Sequence, residues 1–235
     1  MQKVALITGT GSGIGKAFAE LLLSKNYIVY GYSRTNYIQH ANFIFTAIDL
    51  SNLESVKELQ FPKCKSEDIL LVNNAATIGE AMPLHLKKDA TIINDYNLNI
   101  IAPTLLCSKF MNSYADTQKL IINIGSGAAN NAIASWNTYC PTKSALDMLT
   151  RVIAAEKHEK LNIYSVHPGV VDTNMQEKIR ASDAKLFPLL DKFTAYHNNN
   201  ELETTTITAQ KLLYIIQNFS EFTKNILSIR DVNLN

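Results

Sequence analysis

Charge of one sign is what this sequence most lacks: 22 lysines and arginines stand against 21 aspartates and glutamates, a net charge of +1. A nucleic-acid partner calls for a basic stripe that neutralises phosphates, and without one that class of function is set aside. No apolar run reaches the length of a bilayer span, so no membrane helix is expected. Cysteine is scarce and odd in number; Cys64, Cys107 and Cys140 follow no metal-ligand spacing and read as packing thiols of a reduced, cytoplasmic protein. His40, His85, His158 and His197 likewise show no metal spacing, so no metal site is expected. Met1-Gln2-Lys3 leads straight into an apolar run, which argues against a signal peptide. No repeat or low-complexity linker divides the 235 residues. At 46% hydrophobic and 18% charged content, residues 1–235 read as one α/β domain whose core needs no staples.

What is present is alternation. Short apolar runs at 4–7, 27–32, 43–47, 69–73, 120–125 and 163–167 read as strands. Helical patterns lie between and after them near 13–25, 52–60, 87–113, 138–158 and 204–218. Strands this apolar, separated by helices, predict a parallel sheet covered on both faces. Right-handed crossovers make it doubly wound, with ligands at the strand C-termini. The segment 172–206 breaks the rhythm. It reads as one or two short helices forming a lid, or else as a surface insertion.

The first strand runs into Thr8-Gly9-Thr10-Gly11-Ser12-Gly13-Ile14-Gly15 and then a helix. Glycines let the backbone approach a pyrophosphate closely, and the helix N-terminus favours its negative charge. Gly9, Ser12, Gly13, Ile14 and Gly15 are therefore expected to hold a dinucleotide. The second strand ends in Ser33-Arg34, where an NAD site would place an acid that repels a 2′-phosphate. A guanidinium holds such a phosphate by paired, charge-assisted hydrogen bonds, so Arg34 points to NADP(H) unless it is only a solvated loop charge. Asp49 fits either an acceptor for the adenine amino group or an N-cap for the next helix. In Asn73-Asn74-Ala75-Ala76, the amides tie neighbouring turns together and the small alanines leave room for a ribose.

Chemistry enters with Tyr139 and Lys143. Among the ten tyrosines only Tyr139 has a lysine four residues later, on the same helical face. A nearby ammonium stabilises phenolate, which predicts a lowered tyrosine pKa and a group able to exchange a proton with a substrate oxygen. Ser126 follows the fifth strand and either donates to that oxygen or caps a turn. Asn99 lies in an apolar helical stretch, as a structural amide or as the anchor of a water leading to Lys143, with Asn97 the competing position. Trp136 reads as a pocket wall or a structural aromatic, and His167 as packing. Met175, Phe187 and Phe193 are expected to line the substrate site from the lid.

Taken together, Thr8-Gly-x-x-x-Gly-Ile-Gly15, Asn73-Asn-Ala-Ala76, Asn99, Ser126, Tyr139-x-x-x-Lys143 and Pro168-Gly169-x-x-x-Thr173 resemble the short-chain dehydrogenases/reductases. The resemblance extends over nearly the whole chain. It implies a Rossmann domain with a seven-stranded parallel sheet and an Asn99-Ser126-Tyr139-Lys143 tetrad. Lys143 and Tyr139 would also touch the nicotinamide ribose, and Pro168, Val171 and Thr173 the carboxamide. Two departures are Ala76, where glycine is commoner, and Gly125, where serine is. The stretches 139–148 and 167–176 look like the sepiapterin reductase and benzil reductase branch, whose members reduce ketones and diketones with NADPH. Pterin-reducing members carry an acidic anchor where this chain has Ser228. Unless Asp172 or Asp231 replaces it, a less polar diketone is favoured.

The expectation is thus an NADPH-dependent carbonyl reductase acting on a small molecule, with Tyr139 as proton donor. An alcohol dehydrogenase running oxidatively and a non-catalytic nucleotide sensor are the alternatives. The resemblance also implies a homodimer or homotetramer, pairing through the helices near 87–113 and 138–158.

Overall fold

The computed structural model describes residues 3–64, 66 and 68–234; Met1 and Gln2, on which the reading of the N-terminus rests, lie outside them. Among the described residues the seven strands are β1 (Val4–Thr8), β2 (Ile28–Ser33), β3 (Phe43–Ala47), β4 (Asp68–Asn73), β5 (Gln118–Ile124), β6 (Leu161–His167) and β7 (Ile226–Ser228). They form one sheet in the order β3-β2-β1-β4-β5-β6-β7, with every pairing parallel. Strand order reverses between β1 and β4, and a doubly wound sheet opens its crevice there.

Around the sheet lie α1 (Gly13–Ser24), α2 (Leu53–Glu58), α3 (Asp89–Tyr96), α4 (Ala102–Ser113), α5 (Tyr139–Ala155), α6 (Asn174–Arg180), α7 (Leu190–Asn198) and α8 (Thr205–Gln217). Successive strand side chains point to opposite faces. Ala5, Ile7, Leu70 and Val72 pack with Phe18 and Leu22 of α1 and Leu212 and Ile215 of α8. Val4, Leu6, Ile69 and Leu71 pack with Val56 of α2, Leu106 and Phe110 of α4, and Ile153 of α5. Two buried faces explain why the strands are apolar throughout. Among the described residues, no helix is long and apolar enough to cross a membrane.

The structure departs from the sequence pattern in two places. The stretch 87–113 is not one helix: Leu84–Leu86 makes a 3-10 turn, α3 begins at Asp89, and a π-helical turn at Asn97–Ile101 joins α3 to α4. Pro103 has no N–H to give the carbonyl of Asn99 four residues earlier, so a regular ladder cannot pass this point. Strand β7 is only three residues long and too short to show a period. Segment 172–206 does hold two short helices, α6 and α7, and Val171 pairs with Glu203 across it.

Candidate active site

The C-terminal ends of the central strands open onto a cleft of about 1050 Å³. Every residue expected above to hold the cofactor or take part in catalysis lines it except Gly15 and Asn99. Gly9 and Gly13 have φ of +75° and +56°, a region closed to most side chains. Gly15 lies behind the turn, where a Cβ would strike the Asn74 amide and the Gly9 carbonyl. Its glycine lets the turn press against β4 and does not face the cleft. Thr8 Oγ1 accepts from the N–H groups of Asn74 and Ala75 at 2.9 and 3.0 Å, and Asn74 Nδ2 donates back to the Thr8 carbonyl at 2.9 Å. The ends of β1 and β4 are thereby locked together. The first turn of α1 carries no acidic side chain, so its N–H groups and dipole are open to an anion. A wide cleft, a glycine cradle and a bare helix N-terminus suit the pyrophosphate of a dinucleotide.

At the adenosine end, Ser33 Oγ donates to the Thr35 carbonyl at 2.7 Å and contacts Thr10 Oγ1 at 3.3 Å. Ser33 thus fixes the turn that presents Arg34. Arg34 is exposed and takes part in no ion pair among the described residues. Asp49 Oδ1 accepts from both the N–H and the hydroxyl of Ser51, at 3.0 and 2.8 Å. The Ser51 amide, above all, holds the Asp49 carboxyl below its ordinary pKa, against partial burial; Ser51's hydroxyl and Arg34 add to the lowering. The N-cap alternative for Asp49 does not hold, because Asn52 itself caps α2 through Glu54 and Ser55.

At the other end, Tyr139 opens α5, and Lys143 follows one turn later with its ammonium 5.6 Å from the phenol ring centre. The ammonium donates to the Ile124 carbonyl at 2.7 Å. Ser126 accepts from the Ala128 N–H at 3.1 Å and lies near enough to the Tyr139 phenol to act on its pKa. Serine therefore serves as turn cap and as neighbour of the phenol at once. One expectation is corrected here: the Tyr139 pKa is raised, since burial outweighs the lowering by Ser126. Lys143 bears the opposite cost; burial lowers it to about 8, with Asp147 pulling it back up. Phenol and ammonium thus share the site with the proton on the phenol.

Asn99 is buried beneath this pair. Its Oδ1 accepts from the Thr77 N–H at 2.8 Å, and its Nδ2 donates to the Thr77 carbonyl at 2.8 Å and to Thr142 Oγ1 at 3.2 Å. The amide is committed to protein partners. Pro103, four residues on, has no N–H to give the Asn99 main-chain carbonyl.

Beyond Tyr139 the cleft turns apolar. Trp136 meets Tyr139 edge-on at 5.4 Å and packs on Phe193 at 5.2 Å. Met175 and Phe193 line the cleft from α6 and α7, as expected, with Ile78 and Tyr196 beside them. Phe187 does not line it. This ring is fully buried and stacks behind Trp136 at 5.7 Å. Thr173 leans over the glycine turn, its Cγ2 lying 3.2 Å from where a Cβ of Gly13 would stand. Val171 and Pro168 also border the cleft.

Two polar clusters escape a reading of the sequence. Lys87, Asp95 and Thr138 are buried together: Lys87 Nζ lies 3.3 Å from Asp95 Oδ2 and donates to Thr138 Oγ1 at 2.7 Å, which donates to Asp95 at 2.7 Å. Thr138 immediately precedes Tyr139, so this cluster pins the start of α5. His167, expected as packing, instead borders the cleft and contacts Asp147 Oδ2 through Nε2 at 2.9 Å. Lone residues far apart in sequence give no signal for either cluster.

Comparison with known proteins gives three findings. The family model described as short chain dehydrogenase matches residues 3–184. Benzil reductase ((S)-benzoin forming) of Bacillus cereus is 32% identical over 92% of this chain and 94% of its own, and sepiapterin reductase of Rattus norvegicus is 29% identical over 91% of each. A crystal structure of a short chain dehydrogenases/reductase from Saccharomyces cerevisiae superposes with a TM-score of 0.81 at 22% identity, over 97% of this chain and 96% of its own. That last likeness concerns the fold.

Proposed function

The chain belongs to the short-chain dehydrogenase/reductase family, and from that premise we propose that it is an NADPH-dependent reductase of ketones and diketones. The observation that carries the reading is the meeting of Tyr139, Ser126 and Lys143 in the cleft that the glycine turn borders. When bound, the nicotinamide supplies the hydride for the carbonyl carbon. Tyr139 gives its proton to the carbonyl oxygen, and the Ser126 hydroxyl donates to the same oxygen as charge builds there. Lys143 steadies the phenol's charge and reaches the ribose. Thr173, Val171 and Pro168 hold the carboxamide, while the glycine turn with Ser12 and Ile14 takes the pyrophosphate.

In the reductive direction Tyr139 acts as the general acid, and burial favours the protonated phenol that this role needs. A diketone is favoured over a pterin by the far wall. Trp136, Ile78, Phe193 and Met175 are apolar, and the C-terminal side presents Ser228 and Arg230; Asp172 and Asp231 are not among the residues lining the cleft. We assign α6 and α7 the role of a lid over this wall. Ile101, Met148 and Val152 on the helices facing away from the sheet are exposed apolar side chains, and we assign them to pairing in a homodimer or homotetramer.

The 2′-phosphate of NADPH is assigned to Arg34. Arg34→Ala is expected to raise KM for NADPH roughly 10- to 100-fold with little change for NADH. A panel of ketones, diketones and sepiapterin, run with each cofactor, tests the whole reading. Diketones with NADPH should react fastest. Equal rates with NADH, or an Arg34→Ala enzyme with unaltered KM, would remove the assignment.

A further inference from the structure

We propose that Asp147, held by Ser165 and His167, is the counter-charge that keeps Lys143 protonated, and that residue 125 is glycine to admit the carboxylate together with the two side chains that hold it. The proposal rests on the role given to Lys143 above.

Asp147 lies one turn beyond Lys143 on α5, so both project from one face of the helix. Both are buried, at 2% and 3% exposure. Lys143 donates to the carbonyl of Ile124, the last residue of β5. At the very next residue, Gly125, a Cβ would stand 3.1 Å from Asp147 Oδ1, 2.5 Å from Ser165 Oγ and 2.6 Å from His167 Cδ2. Ammonium and carboxylate therefore border the same short piece of backbone without forming a direct ion pair. A side chain at residue 125 would strike Ser165 and His167, the two groups that hold the carboxylate, and would crowd Asp147 Oδ1 itself less closely.

Two partners hold it in place. Ser165 Oγ donates to Asp147 Oδ1 at 2.6 Å, and His167 Nε2 lies 2.9 Å from Oδ2. Ser165 and His167 are two apart on β6, hence on one side of the strand. An ionised carboxylate only accepts, so both partners donate, and the His167 ring carries its proton on Nε2. A carboxylate this deep needs positive charge nearby. Tyr139 and Asp147 act on Lys143 from its own helix, and His167 on β6 faces Asp147. From β5 Lys143 receives a neutral carbonyl. The buried Lys87–Asp95 pair near Thr138 is already closed on itself. Asp147 is thus the negative charge able to offset the burial of Lys143, and it acts on Lys143 in that direction.

Asp147 is a positioning residue in this scheme, and a titration tests it. The Cε resonance of ¹³C-labelled lysine, identified by its absence from Lys143→Arg, reports the protonation of Lys143 in cofactor-free protein. Asp147→Asn keeps the shape and loses the charge. Its Lys143 midpoint is expected to fall by about one pH unit or more, and the alkaline limb of kcat/KM should move down with it. Gly125→Ala, whose methyl displaces the Ser165 and His167 side chains that hold the carboxylate, should shift both the same way and serves if Asp147→Asn does not fold. An unmoved midpoint in the folded variants overturns the proposal, as does activity lost equally at every pH with no shift of the limb. If the midpoint shifts while wild-type protein reduces no carbonyl compound, the reading of function fails and the counter-charge stands.

Discussion

Tyr139→Phe lowers carbonyl reduction by about 10²- to 10⁴-fold, the usual worth of a positioned general acid, while NADPH affinity stays within about tenfold of wild type. The substitution deletes one oxygen and leaves the ring against Trp136, where edge-on contact at 5.4 Å holds it. Ser126 keeps its bond to the Ala128 N–H, so the turn it caps survives. Lys143 keeps its contact with the Ile124 carbonyl. What is lost is the proton that burial retains on the phenol. Steady-state rates beside a fluorescence titration with NADPH separate the two quantities. A Tyr139→Phe protein that reduced diketones at the wild-type rate would show that the proton comes from elsewhere.

The second large effect is on stability. Lys87→Met strands the Asp95 carboxylate in a dry site, and removing one partner of a buried pair costs about 3–5 kcal/mol. The side chains of Lys87 and Asp95 are 0% and 2% exposed, so water cannot replace the lost ammonium. Gly79 has no Cβ because Asp95 occupies that space, which leaves the carboxylate nowhere to swing. Asp95→Leu added to Lys87→Met should recover most of the loss, since two apolar groups need no counter-charge. Urea midpoints of the single and double variants measure this. Equal stability of wild type and Lys87→Met would mean that the pair carries no weight. Through Thr138 the same change should also loosen the first turn of α5.

The parts of this molecule that are legible in the sequence are those written locally. Parallel strands buried on both faces read as continuous apolar runs, so β1 to β6 are visible. The glycine turn and the Tyr139–Lys143 pair each lie within a few neighbouring residues, and their geometry follows from one turn or one helical repeat. Strand β7 is hidden because three residues cannot display a period. The π-helical turn has an available signal, Pro103 four residues after Asn99, but an apolar stretch with a proline reads most simply as one helix. The buried clusters are out of reach. Thr138 meets Asp95 across 43 positions, and His167 meets Asp147 across 20, distances over which no spacing rule operates. Phe187 reads as a lid residue facing the substrate; whether it faces the cleft or the core depends on how α6 and α7 fold back onto Trp136. The rise in the Tyr139 pKa is hidden for the same reason, since a charge at fixed helical spacing can be read from sequence and burial cannot.

NADPH deuterated at its transferable position, incubated with benzil and the purified protein, tests the central claim most directly. Mass spectrometry should find one deuterium on the new carbinol carbon of the hydroxyketone. A protein that binds NADPH yet leaves deuterium in no carbonyl-derived product, across the panel of ketones and diketones, contradicts the account.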